Sequence, residues 1–298
     1  MNQLMGMIYT MISAFVFGFT PILVNITFDH GNNPVMMAFF RGFLVLPVLF
    51  ISLNSRRVSL KVDRKQGVQL FILSVIGGGL TTVVLYSSYQ YMSVGGATTL
   101  HFIYPAIVTF IGILFFKERS NLLKLAALIL SMIGVFILAD FRSGTSLKGI
   151  FLATISGFTY AFYIIYMDRS GLKNMDSIKV TFYNCLMNSV FLTIYGMISG
   201  DFTLKLPPIV WGISFFVAVV TAILGVAFLQ MGIMIVGPST ASILSTLEPI
   251  TSVILGVFIL HESADMKKII ACTLIFLSVI LLSYGTKLEE RKLRQVDS

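Results

Sequence analysis

Residues 100–118, LHFIYPAIVTFIGILFFKE, return 144 positions later as residues 244–262, LSTLEPITSVILGVFILHE. Leu100, Pro105, Gly112 and Glu118 thereby meet Leu244, Pro249, Gly256 and Glu262, and the match continues from Ala127, Leu130, Val135 and Leu138 to Ala271, Leu274, Val279 and Leu282. At an offset of 143, Gly6, Ile12, Ser13, Phe15, Phe19 and Ile22 meet Gly149, Ile155, Ser156, Phe158, Phe162 and Ile165. At 142, Val84, Val94 and Gly95 meet Val226, Val236 and Gly237. A drift of one or two residues is what small insertions leave. The chain therefore divides into a first repeat, 1–145, a second, 146–286, and a basic tail, 287–298. Self-similarity on this scale is the mark of a duplicated structural unit.

The solvent of both repeats is lipid. Of the 298 residues 56% are hydrophobic and only 11% charged, with mean hydropathy +0.91, where a soluble domain carries about a quarter charged residues. Twenty-six Phe and 15 Met suit helices that face acyl chains and pack adaptably. Cys185 and Cys272 both lie inside apolar stretches and form no CxxC, so they read as free structural thiols. The first apolar stretch has no basic residue before it and runs past Asn25, so it is expected to be a retained span rather than a cleaved signal.

A helix needs about 20 residues to cross the hydrocarbon. Ten such stretches are predicted, near 4–28, 34–53, 67–92, 96–116, 122–140, 148–167, 177–199, 208–235, 238–260 and 267–285. Turn residues separate them, at 29–34, Val94-Gly95-Gly96, Arg142-Ser143-Gly144 and Leu206-Pro207-Pro208. Spans eight and nine are divided only by Val236-Gly237-Pro238, and the shortness of its repeat partner Val94-Gly95-Gly96 favours two helices and a tight turn. With the N-terminus inside, 15 of the 21 Lys and Arg fall in cytoplasmic loops and tail, against five outside and Arg41 within a span. That bias predicts N-in and C-in, hence an even number of spans, in the cell membrane. The excess charge of +8 lies where anionic headgroups are, and no basic stripe on a soluble element suggests nucleic acid. The expected fold is an all-α membrane protein of ten transmembrane helices in two inverted five-helix repeats. Such halves can exchange inward-open and outward-open states, so a transporter is expected.

Polar residues inside the spans carry the remaining information, because a carboxylate at mid-bilayer costs roughly 2.5–3.5 kcal/mol on insertion scales. Glu248 stands mid-span in Thr246-Leu247-Glu248-Pro249, on a small, polar face with Ala241, Ser245 and Ser252. Pro249 frees the Ser245 carbonyl for a side chain, water or substrate. Glu248 reads either as a contact for a substrate amine or a carrier of coupled protons, or as a buried acid bonded to neighbouring helices. Tyr104 occupies the equivalent place before Pro105, with His101 one turn earlier as a substrate contact, a proton relay or a satisfied hydrogen-bonding residue. Tyr86, Tyr160 and Tyr163 can stack on an aromatic or cationic substrate or serve packing. Gln230, Asn184, Asn188 and Asn25 need partners in lipid, by default on other helices. Arg41 reads as a carboxylate contact, or as a residue that snorkels or pairs with a neighbouring helix. Glu118 and Glu262 read as structural residues at helix junctions. No His, Cys, Asp or Glu spacing suits a metal, and no Walker A sequence suits ATP.

These features resemble the EamA-type carriers of the drug/metabolite transporter superfamily. The resemblance rests on Ala97-Thr98-Thr99 followed by Pro105 and Glu118, on Ser239-Thr240-Ala241 followed by Pro249 and Glu262, and on Arg41 early in span two, and it extends over residues 4–285. It implies a central cavity lined mainly by spans one, three, four, six, eight and nine. It also implies cytoplasmic termini and secondary transport of small metabolites, amino acids often among them. The expected function is secondary active transport of an amino acid or amine-bearing metabolite by alternating access, with proton coupling through Glu248. The expected substrate-contact set is Glu248, Tyr104, His101, Tyr86, Tyr160, Tyr163, Gln230, Asn25 and Ser245. No cofactor is expected, and the partners are a small-molecule substrate, membrane lipid and a second copy in a homodimer. The competing readings are a carrier of amphipathic drugs or quaternary amines, a membrane-embedded enzyme using Glu248 with His101, and a non-transporting sensor.

Overall fold

A computed structural model describes residues 3–92, 94–118, 121–139, 146–259 and 265–296. Among these residues the regular structure is all helical, without strands. The long helices are α1 (Gln3–Asp29), α2 (Pro34–Ser55), α3 (Arg64–Ser88), α4 (Gly96–Phe116), α5 (Leu122–Ile137), α6 (Leu147–Arg169), α7 (Ser177–Ser199), α8 (Pro208–Val236), α9 (Pro238–Phe258) and α10 (Met266–Val296). Eight of them are long and apolar enough to cross a membrane. The two that fall short were both expected to span. α5 has 16 residues, about 24 Å at 1.5 Å per residue, and the predicted turn after it, Arg142-Ser143-Gly144, lies outside the described residues. α7 has 23 residues but is too polar, since Tyr183, Asn184 and Asn188 interrupt its apolar sequence. α10 runs without a break past the expected end of span ten, so residues 287–296 continue a helix.

Local chemistry sets the joints. Asn33 caps α2 by accepting from the Met36 amide at 2.8 Å. Gly237, at φ +80, turns the chain between α8 and α9, as the sequence predicts. Proline interrupts three helices. α2 loosens at Leu44-Val45 before Pro47, α4 at Phe102-Ile103 before Pro105, and α9 at Ser245-Thr246 before Pro249. The Ser245 carbonyl expected to be free accepts instead from the Glu248 amide at 3.0 Å, a tightened turn that satisfies it within the helix. α3 and α8 each contain a stretch of wider π-helical turns, over Leu73–Leu80 and Thr221–Ala227.

The two halves exchange their first helices. α1 packs on α8 and α9 of the second half, and α6 packs on α3 and α4 of the first. Equivalent helices also meet each other, α2 with α7, α4 with α9, and α5 with α10. Gln3 and Thr286 border one cleft, so the start of α1 and the far part of α10 share an end of the bundle. Glycine makes the tightest crossings. A Cβ on Gly18 of α1 would collide with the Glu248 carbonyl oxygen, and one on Gly157 of α6 would sit 2.9 Å from that of His101. Each exchanged helix thus lies against the backbone at a proline break. Gly18→Ala and Gly157→Ala are each expected to lower stability by about 1–3 kcal/mol, the cost of overpacking. Gly67→Ala, with nothing within 4 Å of its Cβ, is expected to be neutral or stabilising by about 0.4–1 kcal/mol. Thermal unfolding in detergent checks this; equal behaviour of all three would refute the glycine contacts.

Candidate functional site

The broken helices surround a cavity of about 200 Å3. Glu248 reaches it from α9 because the tightened turn at Ser245-Thr246 carries the chain into a fresh helical start at Leu247. Arg41 reaches it from α2, donating from Nη1 to the Tyr86 hydroxyl of α3 at 3.1 Å. The two side chains face one space without forming an ion pair. Among the described residues neither has an ion-pair partner within 4 Å. Both side chains are therefore available to whatever enters.

Aromatic rings form the wall supplied by α4 and α6. Tyr160 lies parallel to Tyr163 with centroids 5.9 Å apart and perpendicular to Tyr104 at 4.8 Å. The His101 ring packs 5.2 Å from Tyr160. Ser156 donates its hydroxyl proton to the Ala153 carbonyl at 2.6 Å, so the His101 Nδ1–H donates to Ser156 Oγ at 2.9 Å. In the neutral ring that bond puts the proton on Nδ1 and leaves Nε2 as an acceptor. Opposite, the Asn188 side chain of α7 donates to Asn184 Oδ1 at 3.4 Å, and its own Oδ1 is buried without a partner.

Of the expected contacts, Glu248, His101, Tyr86, Tyr160 and Tyr163 line the cavity together. Tyr104, Ser245 and Gln230 do not. Gln230 is fully buried, donating to the Tyr163 hydroxyl at 2.8 Å and accepting from Thr181 at 3.2 Å. Ser245 donates to the Ala241 carbonyl, and the Tyr104 hydroxyl is buried beside it without a well-formed hydrogen bond. Asn25 belongs to α1, and its side chain lies outside the described residues. The cavity also takes Arg41 from α2 and Asn184 and Asn188 from α7, helices absent from the lining that the family resemblance implied. The spacing of Asn184 and Asn188 at i, i+4 put them on one face; the cavity is what that face meets. No proton or metal chemistry is needed to explain the Gln230 network, which is interhelical bonding of the ordinary kind.

Hydroxyls with and without partners should respond differently to removal. Tyr163→Phe strands the Gln230 amide in a buried place and is expected to cost about 1–3 kcal/mol. Tyr104→Phe removes an unsatisfied hydroxyl and is expected to be neutral or stabilising. Thermal unfolding of the two variants in parallel tests the assignment, and the reverse order would overturn it.

Comparison with known proteins agrees with this architecture. The chain is 23% identical to a Salmonella typhimurium protein described as the uncharacterized inner membrane transporter YicL, over 96% of this chain and 97% of that one. It is 25% identical to the uncharacterized transporter sll1319 of Synechocystis, over 95% and 94%. It is 23% identical to mouse solute carrier family 35 member G1, over 67% and 57%. A crystal structure overlays it with a TM-score of 0.79 at 14% identity, over 93% of this chain and 98% of the other, a likeness of fold. Residues 4–139 and 147–284 each match the EamA-like transporter family. This multi-pass membrane protein belongs to the EamA-like transporter family.

Proposed function

We propose that the protein is a secondary carrier of a small zwitterionic metabolite, an amino acid or a close relative, in the cytoplasmic membrane. The observation that carries this reading is that Arg41 and Glu248, a base and an acid not paired with each other, line one cavity beside tyrosine rings. The Glu248 carboxylate suits an ammonium group, the Arg41 guanidinium suits a carboxylate, and the rings of Tyr160 and Tyr163 suit an apolar or aromatic side chain. The size of the cavity supports a small ligand, since about 200 Å3 is below the ~300–1,000 Å3 of drug-sized pockets. Arg41 also counts against quaternary amines, which would meet an uncompensated positive charge.

Alternating access between two inverted halves is supported by the exchange of α1 and α6 and by the meeting of equivalent helices, the pattern a two-fold relation produces. In this reading all ten helices cross, and both termini are cytoplasmic, in line with the Lys and Arg distribution. α7 crosses despite its polarity because its amides face the cavity rather than lipid. Glu248 is the proton carrier: it takes a proton when the ammonium leaves and releases it when the ammonium arrives, so the cavity never holds a bare carboxylate while it reorients.

Uptake into proteoliposomes tests the reading, using labelled amino acids, their decarboxylated amines and quaternary amines, with and without an inward proton gradient. Wild type is expected to take up amino acids saturably and more slowly under the inward proton gradient, because the proton and the ammonium exchange on Glu248, and Glu248→Gln to lose that response. Arg41→Gln is expected to raise KM for amino acids about ten-fold or more, the loss of a charge-assisted hydrogen bond, and to lower it for the cationic amines, which no longer meet a like charge. Wild-type flux of amines equal to that of amino acids would overturn the zwitterion reading. Flux indifferent to the gradient would overturn proton coupling.

A further inference from the structure

The exchange of α1 and α6 sorts the helices around the cavity into two groups, α1 with α8 and α9, and α6 with α3 and α4. Phe17, Leu229 and Glu248 face the cavity from the first group, and His101, Tyr160 and Tyr163 face it from the second. Between the groups, close packing among the described residues is confined to the half of the bundle near the termini. There α6 meets Phe228–Val236 of α8 and Pro238–Leu244 of α9, and Pro238–Leu244 meets Tyr104–Phe116 of α4. The repeat equivalents at the far end are α1 against Thr81–Ser88, α1 against Val94–His101, and Val94–His101 against Leu247–Ile259. None of these pairs packs closely among the described residues. The two groups thus close on each other at the terminal end and spread at the other.

A hydrogen bond crosses between the groups at the closed end. Gln230 of α8 donates to the Tyr163 hydroxyl of α6 at 2.8 Å and accepts from Thr181 of α7 at 3.2 Å. Gln230 and Thr181 are fully buried, while Tyr163 lines the cavity, so these three side chains form its floor. Ile164, Met167 and Ile233, also fully buried, belong to the same core. Beyond the floor lies a polar cleft of about 360 Å3. Its border includes Asp168, which holds Arg169 at 3.1 Å and Lys173 at 2.6 Å. On α8 Leu229 lines the cavity and Met234 the cleft; on α6 Tyr163 lines the cavity and Asp168 the cleft. Either step is five residues, a barrier of about 7.5 Å at 1.5 Å per residue. At the far end Thr20 and Ser88 hold the places equivalent to Tyr163 and Gln230, at offsets of 143 and 142. Each donates to a carbonyl of its own helix, Thr20 to Val16 and Ser88 to Leu85.

We propose that the Tyr163–Gln230 bond, backed by Thr181, is the gate between the central cavity and the terminal cleft, and that substrate passes from one to the other when it opens. The inference rests on the transport reading. The bond joins helices that line opposite sides of the cavity, so the two groups cannot part at this end without breaking it. The barrier is less than two helical turns thick, and a modest separation joins the two spaces. A phenol and an amide also suit repeated opening. A bond between neutral groups exchanges for bonds to water at little net cost, yet while the floor is shut each group needs the other. Tyr163 serves both gate and wall, since its ring lies parallel to that of Tyr160 at 5.9 Å. A substrate seated against these rings therefore bears on the residue that holds the floor shut.

The test needs no substrate, so it stands or fails apart from the zwitterion reading. Spin labels at Met5→Cys on α1 and Asn174→Cys just after α6, both exposed at the terminal end, are introduced in a Cys185→Ser, Cys272→Ser background. Pulsed dipolar spectroscopy in nanodiscs reads the distance between the two groups. With the gate intact the shorter of two distances is expected to dominate. Tyr163→Phe leaves the Gln230 amide unsatisfied while the floor is shut and lets water reach it when the floor opens. It is expected to raise the ratio of longer to shorter distances at least about five-fold, the low end of the cost of an unmade buried hydrogen bond. Thr181→Val strands the other end of the same amide, is expected to act in the same direction, and serves if Tyr163→Phe does not fold. Adding Gln230→Leu to Tyr163→Phe removes the stranded amide, and Thr181 can then donate within its own helix as Thr10, Thr20 and Thr221 do. That double variant is expected to recover the shorter distance, which mere loss of packing does not predict. Distances unchanged in both single variants, or no recovery in the double, would overturn the gate. A wild-type protein dominated by the longer distance would overturn the assignment of the terminal end as the closed one.

Discussion

A carbonyl freed by proline inside a bilayer has no water to bond, and it must be satisfied by the protein or lie against something that asks nothing of it. Both solutions occur at the crossing of α4 and α9. Behind Pro249 the chain tightens until the Glu248 amide reaches the Ser245 carbonyl. Behind Pro105 the His101 carbonyl is laid against Gly157, where only a residue without Cβ permits the approach. The breaks turn Glu248 and His101 inward, and the glycines bring α1 and α6 close enough to complete the wall. The cavity exists because two helices are interrupted and two others are small where they cross them.

This much was legible in the chain. The prolines, the repeat, the apolar stretches and the carboxylate before Pro249 all stand out in a sequence with so few charges. Which face of a helix meets a cavity was not legible, because periodicity gives faces and not neighbours. Gln230 and Asn188 are the same kind of residue in the same kind of helix, yet one is enclosed between Tyr163 and Thr181 and the other lines the cavity. Arg41 carried two readings for the same reason. Tyr104 shows a subtler limit: it is the repeat partner of Glu248, but near the meeting of α4 and α9 one of the two faces the cavity and the other is covered by Ser245. Duplication predicts matching backbone, and the contact between the copies breaks the match in side chains.

The same breaking of symmetry runs through the electrostatics. Asp168 and Arg169 lie among the last residues of α6, where Asn25 and Ile26 stand in α1. In a bilayer protein with 11% charged residues, such placements weigh heavily, since ion pairs shielded from water and salt keep more of their attraction than exposed ones.

The wide turns of α3 and α8 have a consequence of their own. A π-helical stretch is an α-helix holding one residue more than its length requires. Passing that surplus along the helix, or drawing it back into α form, rotates everything beyond it by about 100°, the angle one residue subtends. Gly77, Gly78, Thr221 and Ala222 put both stretches on the cavity wall. A one-residue slip there would swing Tyr86 or Leu229 out of the wall and bring a neighbour round in its place. The pocket then changes its lining while the helix axes stay where they are.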